Sequence, residues 1–486
     1  MVRELPRGWT LSTIGEIVKF NPKNTVEDNT DAGFIPMSHV PIKYGEPVKV
    51  EQKKWGNIKK GYTHFQNDDV ILAKITPCFE NGKAAIIEGL PSGIGSGSTE
   101  FFVFRAIDKL YHPKLLLAFV KQLGFLKNGA AVMTGSVGHR RVPKNYVLEH
   151  PIPVPPFPEQ KQIVDKLDCL LAKVDACKAR LEKVPEIIKR FRQSVLADAT
   201  SGRLTEDWRE KNSETENSNE LLKRISEKRN SWIKAVTKQD NKEAKRASAK
   251  LKKHSPKYPT NKLPNSWKWA SLLEASCLVV DCHNKTAPYT DDGIPLVRTS
   301  NIRDGKMVLD KMKYINEDTY EYWSRRCPPE KGDLFFTREA PMGEAMIVPK
   351  GQKLCMGQRM MLLRPFSDLL DNNYLLYCLL DPNFKSRMLE NAIGTGVKHL
   401  RVGDVENLCI PIAPYHEQME IVKRVESFFS IADQMEEKLK RAQNGVDKLT
   451  TSILAKAFRG ELVLHDPSDE TAEKLLEHNY TDKKSL

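Results

Sequence analysis

Three strings of the sequence return 258 residues downstream, and that fixed offset restricts the architecture more than any other property of the chain. Leu5-Pro6-Arg7-Gly8-Trp9 reappears as Leu263-Pro264-Asn265-Ser266-Trp267. Ile152-Pro153-Val154-Pro155-Pro156, followed by Glu159-Gln160 and Ile163-Val164, reappears as Ile410-Pro411-Ile412-Ala413-Pro414, followed by Glu417-Gln418 and Ile421-Val422. Ser194-Val195-Leu196-Ala197 with Gly202 and Leu204 reappears as Ser452-Ile453-Leu454-Ala455 with Gly460 and Leu462. A duplication of such long period predicts two copies of one unit related by a pseudo-two-fold axis. With 486 residues the chain is also too long for a single core.

Each copy ends in a constant part with heptad spacing. Ile163, Leu167, Leu170, Val174, Cys177, Leu181, Val184, Ile188, Phe191 and Val195 step by four and three in alternation. Ile421, Val425, Phe428, Ala432, Met435, Leu439, Ala442, Val446, Leu449 and Ile453 repeat the same steps. An apolar seam every 3.5 residues over four heptads is a coiled-coil pattern, and the competing reading is an ordinary amphipathic helix. At 1.5 Å per residue the seam spans about 48 Å, the length of a spacer. Proline-rich runs at 151–158 and 411–414 precede Glu-Gln at both helix starts, and Gly202 and Gly460 follow both ends. Pro185 predicts a kink or a break in the first helix. Two seams on one chain can pair with each other, and the two-fold relation favours an antiparallel pair.

The parts ahead of the helices differ between copies and read as β-rich modules with one helical stretch each. Asp69-Val70-Ile71-Leu72, Asp333-Leu334-Phe335-Phe336 and residues 100–106 (EFFVFRA) are strand patterns, and residues 112–127 and 373–390 are the helical stretches. Each is followed by a Gly-rich loop with a basic end, 133–142 (MTGSVGHRRV) and 393–402 (IGTGVKHLRV). Laying Arg141-Val142 on Arg401-Val402 sets His139 on His399. The fold class expected is α+β: two β-rich modules, each followed by a long helix.

Charge then suggests the partner. The chain carries 76 Lys and Arg against 63 Asp and Glu, a net +13, and residues 222–262 alone hold 14 against 3, a net +11. That stretch reads as a solvated linker or as an arm lying on phosphate or on an acidic partner. Loops rich in Gly, Ser and Thr with embedded Arg, Lys and His place backbone N–H groups on phosphates while basic side chains reach base edges. The blander reading of any one such loop is a solvated turn. The candidate DNA-binding residues are Lys74, Thr76, Ser96, Ser98, Thr99, Ser136, His139, Arg140 and Arg141 in the first copy. In the second they are Arg298, Thr299, Ser300, Asn301, Arg338, Arg359, Lys398, His399 and Arg401.

Together the LPxxW opening, the proline-rich Glu-Gln entrance to a heptad helix and the Ser-[Val/Ile]-Leu-Ala exit, all duplicated around two dissimilar modules, resemble the specificity subunit of type I restriction–modification enzymes over nearly the whole chain. The resemblance implies target recognition domains at 1–155 and 263–413, and spacer helices at 156–205 and 414–465 paired as an antiparallel coiled coil. A basic linker at 206–262, partly helical or disordered, and a tail at 466–486 complete the chain. It also implies a non-catalytic subunit that holds no cofactor itself. Its partners would be double-stranded DNA with a bipartite target, two methyltransferase subunits and two restriction–translocase subunits, which use S-adenosylmethionine, ATP and magnesium for adenine methylation and DNA cleavage. The linker and Pro185 depart from the simplest pattern and leave the subfamily open.

Enzyme chemistry finds little purchase in the chain itself. Asp381-Pro382-Asn383-Phe384 lacks the second proline of an adenine methyltransferase loop, no GxxxxGK[ST] string occurs, and acidic-x-Lys strings such as Glu51-Gln52-Lys53 arise by chance at this charge density. Nine cysteines without a CxxC pair argue against a disulfide scaffold or zinc module, and Cys277, Cys282 and His283 lack metal-ligand spacing. Neither a membrane-spanning run of roughly 20 apolar residues nor a secretory leader is found, so the cytoplasm is expected. A stand-alone tandem-domain DNA-binding regulator is the alternative function. Its apolar flanks, Val164, Leu171, Val422 and Phe429, would then thicken the intramolecular core rather than dock other subunits.

Overall fold

A computed structural model of the chain describes residues 5–136, 138–212, 216–237, 242–394 and 398–484. It divides into two compact units: Met1–Lys183 with Leu439–Leu486, and Val184–Lys438. The first unit therefore draws on both ends of the chain, and the second on its middle.

The two modules share a topology that their sequences conceal. In the first, Val18–Phe20, Phe101–Ala106, Val70–Ala73 and Ala84–Ile86 are neighbours in one sheet, in that order. In the second, Leu278–Asp281, Met360–Arg364, Leu334–Thr337 and Ala345–Ile347 repeat the order. Val70–Ala73 and Leu334–Thr337 are buried along their whole length, which explains their unbroken apolar runs. Each module adds a second, mixed sheet. There Asp31–Ile35 runs parallel to Ile94–Gly97, and Ile294–Val297 runs parallel to Cys355–Met356. Arg105 closes a two-pronged ion pair on buried Asp69, with N–O distances of 2.8 and 2.9 Å, and Arg364 does the same on Asp333 at 2.8 and 2.7 Å. Burial pushes the Asp69 carboxyl up while Arg105 opposes that shift.

The recurring strings build the seat of each module. Thr10–Thr13 pairs with Pro151–Val154, and Lys268–Ser271 pairs with Cys409–Ile412. The indole N–H of Trp9 donates to Glu159 Oε2 at 3.0 Å, and that of Trp267 donates to Glu417 Oε2 at 2.8 Å. Gln160 is buried, accepts from the His112 N–H, and donates to the Leu110 and Pro155 carbonyls. Gln418 likewise accepts from Asp371 N–H and donates to the Leu369 and Ala413 carbonyls. Gly460, at φ 70°, ends its helix so close to Pro6 that an added Cβ would lie 2.3 Å from the ring; for Gly202 and Pro264 the distance is 2.5 Å. The prolines and tryptophans of the LPxxW strings thus meet the ends and beginnings of the spacer helices.

The spacer is Phe157–Leu181, Val184–Ser201 and a single 43-residue helix, Tyr415–Ala457. The first copy breaks at 182–183, as Pro185 demands, because a proline inside a helix removes a hydrogen bond and clashes with the preceding turn. Within the first unit, Ile163, Leu167 and Val174 share a core with Ile453, Leu454 and Ala457, and Lys178 pairs with Asp447 at 3.0 Å. Within the second, Val195 and Leu196 share a core with Ile421 and Val425, the Phe191 and Phe428 rings lie edge to face at 6.1 Å, and Arg192 pairs with Asp433. Early residues of one partner face late residues of the other, so the helices run antiparallel. Of the other predicted seam residues, Ile188 is buried, Leu170, Leu181, Leu439 and Val446 are half-buried, and Met435 is 50% exposed.

Beyond the spacer, each unit has a further helix tethered at its start to the LPxxW string. In the first, Ala472–Lys484 is tethered by Ala472 N–H to Gly8 O at 3.0 Å, and Ala472 is fully buried. In the second, Ser218–Thr237 is tethered by Ser218 N–H to Ser266 O at 3.0 Å, with Leu221 and Ile225 fully buried. Glu206–Lys211 and Lys242–Lys252 make up the remaining helical part of the basic segment.

Candidate nucleic-acid interface

In the first module three segments meet at the end of the Val70–Ala73 strand. Lys74 N–H donates to Glu100 O, Val142 N–H to Lys74 O, and Thr76 N–H to Arg140 O, all at 2.9 Å. This brings Lys74, Thr76, Ser98, Thr99, Arg140 and Arg141 onto one surface. Arg141 grips Glu100 through two hydrogen bonds of 2.9 and 2.7 Å, which hold the Glu100 carboxyl below its ordinary value although partial burial opposes that shift. Ser136, His139 and Arg140 are exposed on the loop, where His139 N–H donates to Ser136 O; Val137 lies outside the described residues. Ser96 is fully buried and donates to Ile58 O at 2.7 Å, so it supports the surface from beneath.

The second module uses the same backbone frame. Arg338 N–H donates to Arg359 O at 2.8 Å and Leu400 N–H donates to Arg338 O at 3.1 Å. Thr299 Oγ1 donates to Ala340 O, drawing in the turn Thr299–Asn301. Arg338 is therefore the structural counterpart of Lys74, Arg359 of Glu100, and Leu400 of Val142. A bridge joins Glu339 to His399 where Ile75 bridges Arg141. This corrects the overlay made from the loop sequences: His399 corresponds to Arg141, and not to His139. Strand pairing sets the register, and a shift of two residues keeps the side chains on the same face, so sequence similarity alone cannot detect it.

A common frame carries opposite chemistry in the two copies. Glu100 accepts from Arg141 in the first, whereas in the second Arg359 lies 3.3 Å from Glu339. Asn301 is fully buried and holds the next loop by donating to the Val308 and Asp310 carbonyls at 3.0 and 3.1 Å. Arg298 donates to Lys311 O at 2.6 Å. A concavity of about 280 Å³ opens beside this turn, lined by Lys285, Tyr289, Arg298, Thr299, Ser300 and Arg359. Arg338 spends one guanidinium N–H on Leu400 O. Lys398 and Arg401 are exposed, the Arg401 N–H being held by Asp404, while Thr395, Gly396 and Val397 lie outside the described residues. Sequence reasoning missed Glu100, Glu339, Lys285 and Tyr289. The only signal for the first was its place beside a strand within GSGSTE.

Asp381 is buried and caps the helix Pro382–Glu390 by accepting from the N–H groups of Asn383 and Phe384. Cys277 and Cys282 are buried, and burial pushes the Cys277 thiol up to about 12. Among the described residues, no helix is long and apolar enough to cross a membrane.

The family profile of the type I restriction modification DNA specificity domain matches residues 6–186 and 281–443, more than half of the chain. The chain belongs to this family. Type I specificity subunits from Escherichia coli are similar over most of its length: that of EcoAI at 29% identity across 90% of this chain and 80% of its own, and that of EcoKI at 26% across 94% and 90%. The HsdS subunit from Thermoanaerobacter tengcongensis superimposes with a TM-score of 0.61 at 20% identity, covering 95% of this chain and 99% of that one. A chain from a structure of type I restriction–modification complex assembly gives 0.63 over 94% and 100%. The protein is thus a DNA specificity subunit of a type I restriction–modification system, the non-catalytic part of such a complex, and its fold is that of HsdS.

Proposed function

We propose that this specificity subunit reads a bipartite DNA sequence, one half with each module, and brings two methyltransferase and two restriction–translocase subunits to it in the cytoplasm. The observation that carries this reading is the shared backbone frame with exchanged side chains. A constant frame fixes how each module meets a duplex, while different side chains at equivalent places select different bases. In the first module the readers are Lys74, Thr76, Ser98, Thr99, Ser136, His139, Arg140 and Arg141. In the second they are Arg298, Thr299, Ser300, Arg338, Arg359, Lys398, His399 and Arg401. Ser96 and Asn301 shape these surfaces from below. S-adenosylmethionine, ATP and magnesium serve the partner subunits, and the adenine to be methylated is flipped out of the duplex by the methyltransferase.

Exposed apolar side chains on the spacer helices favour a complex over a stand-alone regulator. Ile187 is 62% exposed, Met435 50% and Leu449 45%, and each is an apolar side chain suited to covering by another subunit. Single-molecule sequencing of DNA from cells expressing the chain with its methyltransferase partner tests the function. Methyladenine in a split motif with a fixed gap, absent without the chain, is expected. Unchanged methylation, with the partner shown to be bound, would sink the reading.

A further inference from the structure

We propose that the helices Ser218–Thr237 and Lys242–Lys252, with the basic stretch behind them, form a phosphate-binding arm that contacts the DNA backbone beside the half-site of the second module, without reading its bases. The inference rests on the DNA-reading function proposed above. Its first support is the distribution of charge. Residues 222–262 carry +11 of the chain's +13, leaving +2 for all the others. Most of the chain's net positive charge, and with it much of the long-range attraction to a polyanion, therefore lies in this one stretch.

Its second support is that the stretch is docked on the module. Leu221, Ile225 and Ala244 are fully buried. The Arg229 guanidinium is buried and donates to the Leu273, Glu274 and Ser276 carbonyls at 2.8–2.9 Å, closing the end of the short helix Leu272–Ala275. Glu243 pairs with Arg326 at 2.9 Å, three residues from Trp323 in the lining of the concavity, and Lys250 pairs with Glu406 on the helix that begins just after Arg401. The two ends of Lys242–Lys252 are thus tied to segments that lead directly into the candidate interface.

Its third support is the charge left over. Arg224, Lys228, Arg246 and Lys250 are engaged by acidic side chains, whereas Lys234, Lys242, Lys252, Lys253, Lys257 and Lys262 point into solvent. Lys234, Lys242 and Lys252 stand on the two docked helices and Lys253, Lys257 and Lys262 on the chain that follows them; such flexible ammonium groups suit phosphate oxygens and discriminate poorly among bases.

The test uses the full chain in complex with its methyltransferase partner, and compares wild type with a variant carrying Lys242→Gln, Lys252→Gln, Lys253→Gln and Lys257→Gln. Duplex affinity is measured across a potassium chloride series on cognate and scrambled DNA, and the methylated motif is sequenced. Each lost phosphate contact lowers the slope of log affinity against log salt by ~0.9, so the four together should lower it by about 3 to 4. The loss should be of equal fold on both duplexes, with the methylated motif unchanged. An unchanged slope overturns the arm, and so does a changed motif, which would make these lysines base readers. An unchanged slope with weakened retention of the methyltransferase would assign the arm to an acidic protein surface instead. If the wild-type complex methylates no split motif, the DNA-reading function fails first, and that outcome is read independently of the variant.

Discussion

Trp9 and Trp267 each give an indole proton to a buried glutamate 150 residues away, and the surroundings of the two glutamates differ. Glu159 has His465 Nδ1 at 3.1 Å, whereas Glu417 accepts from Thr205 Oγ1 at 2.7 Å and from Arg209 Nε at 3.0 Å. Trp267→Phe leaves a buried carboxylate oxygen without its donor and should destabilise the second unit by about 1–3 kcal/mol in urea unfolding. Glu100 offers a pH test. Its carboxyl is lowered chiefly by the Arg141 hydrogen bonds, so this contact stabilises the loop above the ordinary glutamate value of 4.5 and is lost as pH falls through the depressed value. Arg141→Ala should raise the Glu100 carboxyl toward 4.5, as followed by NMR titration, with little effect on global stability because Arg141 is 47% exposed. The sequence marked Trp9 and Glu159 as recurrent but could not reveal them as partners, because no local pattern links residues so far apart. The Glu100–Arg141 pair, 41 residues apart, was hidden for the same reason, and the counterpart of His399 because strand register leaves no local signal.

At the scale of elements, periodicity identified the spacer helices, their apolar seam and the break before Pro185. It did not show how deeply the seam is covered. A heptad pattern says which side chains share a face, while burial depends on what lies opposite, and so Ile163 is fully buried while Met435 is half exposed. The modules were legible as strand-rich, but their common topology was not, since sheet order follows from pairings between segments tens of residues apart. Inserting one heptad into each partner of the antiparallel pair, beside Lys178 and Asp447, should lengthen the spacer by about 10.5 Å. At ~3.4 Å per base pair the gap in the methylated motif should then grow by about 3 base pairs. An unaltered gap in the sequenced methylome would rule out the spacer as a ruler.

For the whole molecule, the duplication predicts that specificity is modular. Replacing residues 5–150 with the matching segment of a relative should change one half of the methylated motif and leave the other intact; a change in both halves would contradict independent reading. The repeat and the charge excess were plain in the sequence, whereas the make-up of the units was not. Ile453, Leu454, Ala457, Phe458 and Ala472, from the last part of the chain, sit in the same core as Leu115, Leu116 and Phe119 from the first. This has a consequence for synthesis on the ribosome. The middle of the chain emerges with its own core complete, while the reader made first must wait, its apolar surface open, until residues 453–472 have left the exit tunnel. A nonsense codon late in the reading frame would therefore disable the recognition domain encoded at its beginning and spare the one encoded nearer to the lesion.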